Sequence, residues 1–353
     1  MLFRSDFNAS GSHLKKGLAL TPVKFGISFT ATHLNQAGAL LHIYTDGSIH
    51  LNHGGTEMGQ GLYTKVAQIV ARALGVRYER IQVSATRTDK VPNTSPTAAS
   101  SGSDLNGMAA LQAAKAIKKR LVEFLAERES INPSVIKFQN DQVVCGDRSF
   151  RFEEVVHAAY LARVQLSATG FYRTPGVHFD KEAGRGEPFY YFANGAAVAE
   201  VIVDSLNGEY RVSRVDILHD VGQSLNTALD IGQIEGGFIQ GMGWLTTEEL
   251  LWDDEGRIMS NSPANYKIPT AYDVPAQFNV ALFEEPNQRE TVYRSKAVGE
   301  PPLMLALSVW CALRDAIASI TDYRLSPPLE APATPEAVFR AIQHAKTFRG
   351  TEK

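Results

Sequence analysis

"ALLHIYTDGSIHLNHGGTEMGQGLYTKVAQIVARALG", residues 39–75, changes period in its middle. Up to His53, apolar and polar residues alternate on either side of Asp46-Gly47. That pair readily takes the positive φ angles of a tight hairpin turn, so two antiparallel strands are expected. After the glycine-rich "HGGTEMGQG", residues Leu62, Val66, Ile69, Val70 and Leu74 recur at helical spacing, with Gly75 as the stop. Gln60 therefore stands at a helix entrance.

Downstream, "RIQVSAT" (80–86) reads as a strand and "VPNTSPTAASSGS" (91–103) as a loop of small, turn-forming residues. The long helical run "DLNGMAALQAAKAIKKRLVEFLAER" (104–128) follows. Residues of about 130–160 read as a small peripheral insert, with strands around an Asp-Gln or Gly-Asp turn and one helix. "AAVAEVIVDSLNGEYRVSRVDILHDVG" (196–222) is a hairpin about Asn207-Gly208, and "NTALDIGQIEGGFIQGMGWLTTEEL" (226–250) is a helix rich in glycine. Each glycine costs that helix about 1 kcal/mol relative to alanine, so close approach of another backbone is expected there. Hairpins with segregated helices, rather than a βαβα alternation, predict an α+β fold. Three parts are expected: a lead-in over 1–20, a main region over 21–325 and a Pro-rich tail over 326–353, whose one amphipathic helix reads as a surface strap.

At 353 residues and 44% hydrophobic composition, the chain can bury a substantial core. A net charge of −3, with both signs interspersed, gives no reason to expect a nucleic-acid partner. Its two cysteines, Cys145 and Cys311, lie far apart without CxxC spacing, which argues against a disulfide framework, a zinc site or iron–sulfur ligands. No segment reaches eighteen uninterrupted apolar residues, and the first twenty lack a signal-peptide pattern. A soluble cytoplasmic chain is expected, with no membrane partner.

Three loops share a design: "GGTEMGQG" (54–61), "PTAASSGS" (96–103) and "AVGEPP" (297–302) each place small residues and one or two polar side chains at a helix start. Unpaired N–H groups and the positive dipole end there favour phosphate or other electron-rich ligand atoms. Plain capping by Ser, Thr and Asp is the alternative for each loop. In the third, Glu300 stands between Gly299 and Pro301-Pro302. A carboxylate there can simply complement the helix dipole, worth about 0.3–1 kcal/mol. The two prolines also fix the backbone, and Gly299 removes bulk beside the charge, so the corner can hold a carboxylate open to approach.

These loops and their surroundings carry a resemblance. "FGISFTATHLNQAGALLHIYTDGS", "HGGTEMGQGL", "VPNTSPTAASSGSDLNG", "TGFYRTPG", "DVGQSLNTALDIGQIEGGFIQG", "YKIPT" and "SKAVGEPP", in that order between about residues 15 and 325, resemble the C-terminal half of the molybdenum-binding portion of xanthine dehydrogenases, molybdenum hydroxylases. The resemblance implies a molybdopterin cofactor carrying molybdenum, with no metal ligand from the protein itself. It also implies hydroxylation of an electron-poor carbon, as in hypoxanthine and xanthine, with oxygen from water. Glu300 matches the general base that removes a proton from the metal-bound hydroxyl. Met58, Gln60, Ala99, Ser100, Ser101, Gln233 and Gly299 match cofactor neighbours. Phe29 matches an aromatic that meets the substrate ring, Thr30 its hydroxyl-bearing neighbour, and Leu34 and Ala98 complete an apolar wall. From the residues alone, Phe29 is equally a core aromatic of a strand.

The family's first half, with another aromatic, an arginine and a second glutamate, is not within these 353 residues. Iron–sulfur clusters and FAD are implied only on other chains or regions. Expected partners are therefore a purine, the first half of the molybdenum subunit and an iron–sulfur/flavin subunit, in an oligomer. A non-catalytic truncated fragment, or an aldehyde oxidase-like component, is the competing expectation.

Overall fold

Two hydrophobic cores, each built on a four-stranded sheet, organise the chain. The computed structural model describes residues 2–90, 94–283 and 285–348. Val91–Asn93 of the expected 91–103 loop, Met1 of the lead-in and residues 349–353 of the tail lie outside these.

In chain order the elements are α1 (Leu2–Ala9), β1 (Leu14–Ile27), β2 (Gln36–Ile43), β3 (Ile49–His53), α2 (Leu62–Leu74), β4 (Ile81–Val83) and α3 (Gly102–Glu129). Next come β5 (Ile136–Gln139), β6 (Gln142–Cys145), β7 (Arg148–Arg151), α4 (Phe152–Leu161), β8 (Ser167–Arg173), β9 (His178–Asp180) and β10 (Arg185–Glu187). The last are β11 (Tyr191–Asp204), β12 (Tyr210–Asp220), α5 (Thr227–Thr246), β13 (Gln277–Phe283), α6 (Pro301–Leu305), α7 (Leu307–Ala318) and α8 (Pro335–Thr347).

The opening stretch folds as its periods dictate. β2 and β3 pair antiparallel from Ile43↔Ile49 to Ala39↔His53, and α2 ends on Gly75 at φ 67°. Sheet order is β4-β3-β2-β8, with β4 parallel to β3, so α2 makes one parallel crossover inside an otherwise hairpin-built architecture. α2 and α3 cover this sheet, burying Leu41, Ile43, Leu51, Val66, Val70, Leu74, Ile117 and Leu121. Each such side chain contributes about 1.5–3 kcal/mol of transfer free energy. Gly170 lets α3 lie directly on β8, since a Cβ there would stand 1.9 Å from the Ala109 carbonyl oxygen.

The second sheet, in order β1-β11-β12-β13, is covered by α5, α6, α7 and α8. β1 pairs with β11 over its whole length, Leu14↔Asp204 to Ile27↔Tyr191. The α+β class holds. β1 crosses the expected boundary at residue 20, because its pattern of half-buried residues is completed by β11, a partner 184 positions later at Gly17↔Val201 and out of reach of local periodicity.

Two elements expected at the periphery are core elements. Phe138, Val143, Phe152, Val155 and Val156 of the 130–160 segment share one cluster with Leu41 and Leu51. Arg80 locks that segment down, bonding Asp141 and Glu153, each at 2.7 Å. The tail helix α8 buries Val338, Ala341 and Ile342 in the second core rather than strapping the surface. Pro301–Thr321 is long and apolar enough to cross a membrane by length and composition, with a mean hydropathy of 1.6 over its most apolar window. Its residues Val309, Ala312, Leu313 and Ile317 are fully buried against the second sheet, the packing of an ordinary core helix.

Candidate active site

The seam between the two cores is where the helix entrances meet. Met58, Gln60, Ala98, Ser100, Gln233, Gly299 and Glu300, all singled out from sequence, line one cleft of about 340 Å³. A larger cavity of about 1180 Å³ lies elsewhere, beside Lys24, Tyr190 and Lys296. Its cations are already engaged, Lys296 with Asp220 and Lys24 over the Phe192 ring, whereas the smaller cleft gathers three entrances and an open carboxylate.

Glu300 stands at the N-cap position of α6, yet its side chain makes no capping hydrogen bond. Its carboxylate crosses instead to the 96–103 loop, where the Ser100 hydroxyl donates to Oε2 at 2.9 Å and accepts the Glu300 N–H at 2.8 Å. Pro301 and Pro302 are buried behind it, while Gly299 and Glu300 are exposed. The corner is anchored from below: the Tyr191 hydroxyl accepts the Ala297 N–H at 2.8 Å and donates to Asp104 Oδ2 at 2.6 Å. Burial pushes the Asp104 carboxyl up to about 7 and the Tyr191 hydroxyl well above its ordinary value.

The glycine loop is less open than its sequence implies. Glu57 Oε1 accepts the N–H groups of Gly59 and Gly61, each at 3.0 Å, and Oε2 accepts that of Tyr63 at 2.9 Å. The α2 entrance is thus already filled by a carboxylate of its own loop. Gln60 is also engaged at both ends, its Oε1 accepting from Met58 N–H at 2.6 Å and its Nε2 donating to Thr56 O at 2.9 Å. Gln233, half-buried on α5, makes no hydrogen bond through its amide among the described residues.

Phe29, Thr30, Leu34, Ala99 and Ser101 do not line the cleft. Phe29 lies just past β1, half-buried, with its backbone clamped by Asn35, which accepts from Phe29 N–H and donates to Phe29 O, each at 2.8 Å. Thr30 is exposed, and the Leu34 carbonyl accepts from Ser95 of the neighbouring loop. Ala99 holds φ 53°, and Ser101 is buried with its hydroxyl on Ala98 O at 3.2 Å.

Lys65, Asp104, Tyr191 and Asp230 escaped the sequence reading. Lys65 lines the cleft from α2 and pairs with Asp230 of α5 at 2.5 Å, both buried. Asp230 Oδ2 also accepts from Ser224 Oγ at 2.6 Å. The available signal was a lysine in the apolar face of α2 and an aspartate in the first turn of α5, charges that burial makes costly unless paired.

Molybdopterin is a polar, multi-ring ligand, and the cleft fits it on this wall. The free Gln233 amide, the Ser103 side chain and the exposed Met58 line it, and no metal-ligating cluster of His, Cys, Asp or Glu exists among the described residues. Gln233, Ala98, Ser100 and Ser103 would hold such a group, leaving Glu300 at its edge.

Residues 3–275 match the family described as "Molybdopterin cofactor-binding domain". Glu300 lies beyond that match, within the longer similarity to whole enzymes. The chain is 47% identical over 341 residues to "Xanthine dehydrogenase/oxidase" of Felis catus, covering 95% of this chain and 24% of the relative. It is 45% identical over 346 residues to "Xanthine dehydrogenase" of Oryza sativa subsp. japonica, covering 94% and 24%. Among solved structures, quinoline 2-oxidoreductase from Pseudomonas putida 86 superposes with a TM-score of 0.82 at 25% identity, covering 97% of this chain and 43% of that one. The chain thus spans about a quarter of the length of the curated relatives it matches. It belongs to the molybdopterin cofactor-binding domain family.

Proposed function

We propose that residues 21–325 form one wall of the active site of a purine hydroxylase, in which Glu300 is the general base. The reaction inserts oxygen from water into a C–H bond of hypoxanthine or xanthine on the way to urate. Each round consumes one water and releases two protons and two electrons. Bound molybdopterin supplies the redox centre that takes up the electron pair, which leaves through iron–sulfur and flavin groups on other regions. Gln233 and the 98–101 loop orient the cofactor. Glu300 accepts one proton at its carboxylate. The observation that carries the reading is the exposed, uncapped carboxylate on a proline-bounded corner beside Gln233.

A complementary chain or region supplies the facing wall, and an assembly with iron–sulfur and flavin parts is the working form. The exposed apolar side chains Trp244, Leu250, Leu251, Trp252, Ile268 and Tyr272, close together in sequence, support this. The free thiols Cys145 and Cys311 suit a reducing, cytoplasmic setting.

The test is Glu300→Ala in the assembled, molybdopterin-loaded enzyme. Turnover of xanthine should fall on the order of a hundredfold or more, while molybdenum content stays near wild type. Wild-type turnover in the fully metallated variant would reduce Glu300 to a helix-end charge. Turnover of aldehydes in place of purines would redirect the substrate class and leave the base in place.

A further inference from the structure

An exposed glutamate has many rotamers, and ordering one costs side-chain entropy. A base that must meet a proton in one direction needs something to hold it, and a single side chain does so here. The Ser100 hydroxyl uses its one proton on Glu300 Oε2 and a lone pair on the Glu300 N–H, so it fixes the carboxylate and the backbone that carries it together.

The local geometry is arranged around that contact. Ala99 and Ser100 hold φ angles of 53° and 55°, a left-handed conformation that costs non-glycine residues free energy and persists only where surroundings enforce it. Across the contact, a Cβ on Gly299 would lie 2.9 Å from Ser100 Oγ, so the glycine is what admits the hydroxyl. Oε2 is the anchored oxygen, and Oε1 has no partner among the described residues, in a residue that lines the cleft.

We propose that Ser100 is the positioning residue for Glu300: its hydroxyl fixes Oε2 and thereby presents Oε1 as the atom that receives the substrate-side proton. Ser100 transfers no proton itself, because Oε2 still accepts its hydrogen bond once Oε1 is protonated. This inference rests on the reading of Glu300 as the base.

The experiment compares Ser100→Ala, Ser100→Gly, Glu300→Ala and the Ser100→Ala/Glu300→Ala double variant in the assembled enzyme. Both single substitutions at 100 should lower kcat about tenfold or more, the effect of removing a hydrogen bond to a charged group, with KM within about twofold and molybdenum content unchanged. Ser100→Gly relieves the left-handed strain and still should not recover, which separates the hydroxyl from the backbone. The double variant should be no slower than Glu300→Ala alone. Crystal structures of the cofactor-free protein give a readout independent of turnover: one Glu300 orientation in wild type, several in Ser100→Ala. Full kcat in Ser100→Ala alongside an inactive Glu300→Ala would overturn the positioning role and leave the base standing. A loss of molybdenum in proportion to activity would also overturn it, making Ser100 a cofactor contact only. An active Glu300→Ala enzyme would remove the base reading itself.

Discussion

Gln60 and Gln233 occupy opposite hydrogen-bonding states, and this separates what their loss should do. Gln60 closes its own loop, with Thr56 and Met58 as partners, so Gln60→Ala should destabilise the cofactor-free protein by about 0.5–1.5 kcal/mol, the net worth of a hydrogen bond, and lower its thermal midpoint. Gln233 has no such partner, so Gln233→Ala should leave that midpoint unchanged and lower molybdenum retention under dilution. Equal loss of stability in the two would contradict the assignment. Reading motifs in sequence located both amides on one cleft, because each lies within a contiguous block next to a helix start. Which of them is already satisfied was not legible, since Gln60 meets Met58 N–H and Thr56 O only in the loop's folded conformation. Lys65, Asp104 and Tyr191 stayed hidden for a related reason: Asp104 and Tyr191 are 87 positions apart, and no local pattern joins them.

Along α5, glycines fall into two kinds, packed and open. Gly241 lies against α6, where a Cβ would stand 2.3 Å from the Leu303 carbonyl oxygen, and Gly243 similarly meets Glu248 and Pro269. Gly232 and Gly236 face open space, with nothing within 4 Å. The expected close approach therefore accounts for Gly241 and Gly243 and not for Gly232 and Gly236. Helix propensity favours alanine over glycine by about 1 kcal/mol, so Gly236→Ala should raise the thermal midpoint of the isolated chain, while Gly241→Ala should lower it by forcing α6 away. Calorimetry of the two variants checks this, and a shared sign would mean the packing assignment is wrong. Helix and hairpin positions were legible because periodicity is a local signal. The roles of the 130–160 segment and of α8 were not, because burial of Phe152 or Val338 depends on partners supplied by distant elements.

Across the molecule, three buried titratable groups set how stability varies with pH. His53 and His219 are buried, and desolvation pushes both down to about 4. Neither His219 nitrogen nor His53 Nε2 has a partner among the described residues, and Gly195 makes room for the His219 ring, since a Cβ would stand 2.4 Å from its Nδ1. Between pH 4 and the ordinary histidine value of 6.5, the unfolded chain carries two protons on these rings that the folded chain refuses. Stability therefore rises with pH through that window, by up to about 3 kcal/mol per ring. Asp104 works against this, because burial pushes it from 3.8 up to about 7 and the folded state keeps a proton that the unfolded state releases. Its contribution is fully present below 3.8 and is lost as pH rises toward 7. The lowered carboxyls Asp46, Asp216 and Asp253 change protonation below 3.8, outside the window. Two protons against one leave a net slope of about 1.4 kcal/mol per pH unit, stability increasing toward neutrality. Asp104→Asn keeps an acceptor for Tyr191 and removes the opposing proton, so its slope between pH 4.5 and 6.5 should be about twice that of wild type. Denaturant titrations of both proteins across that range decide the matter: coincident slopes would mean that Asp104 is ionised in the folded protein and that the Tyr191 hydrogen bond anchors the Glu300 corner through a charged carboxylate.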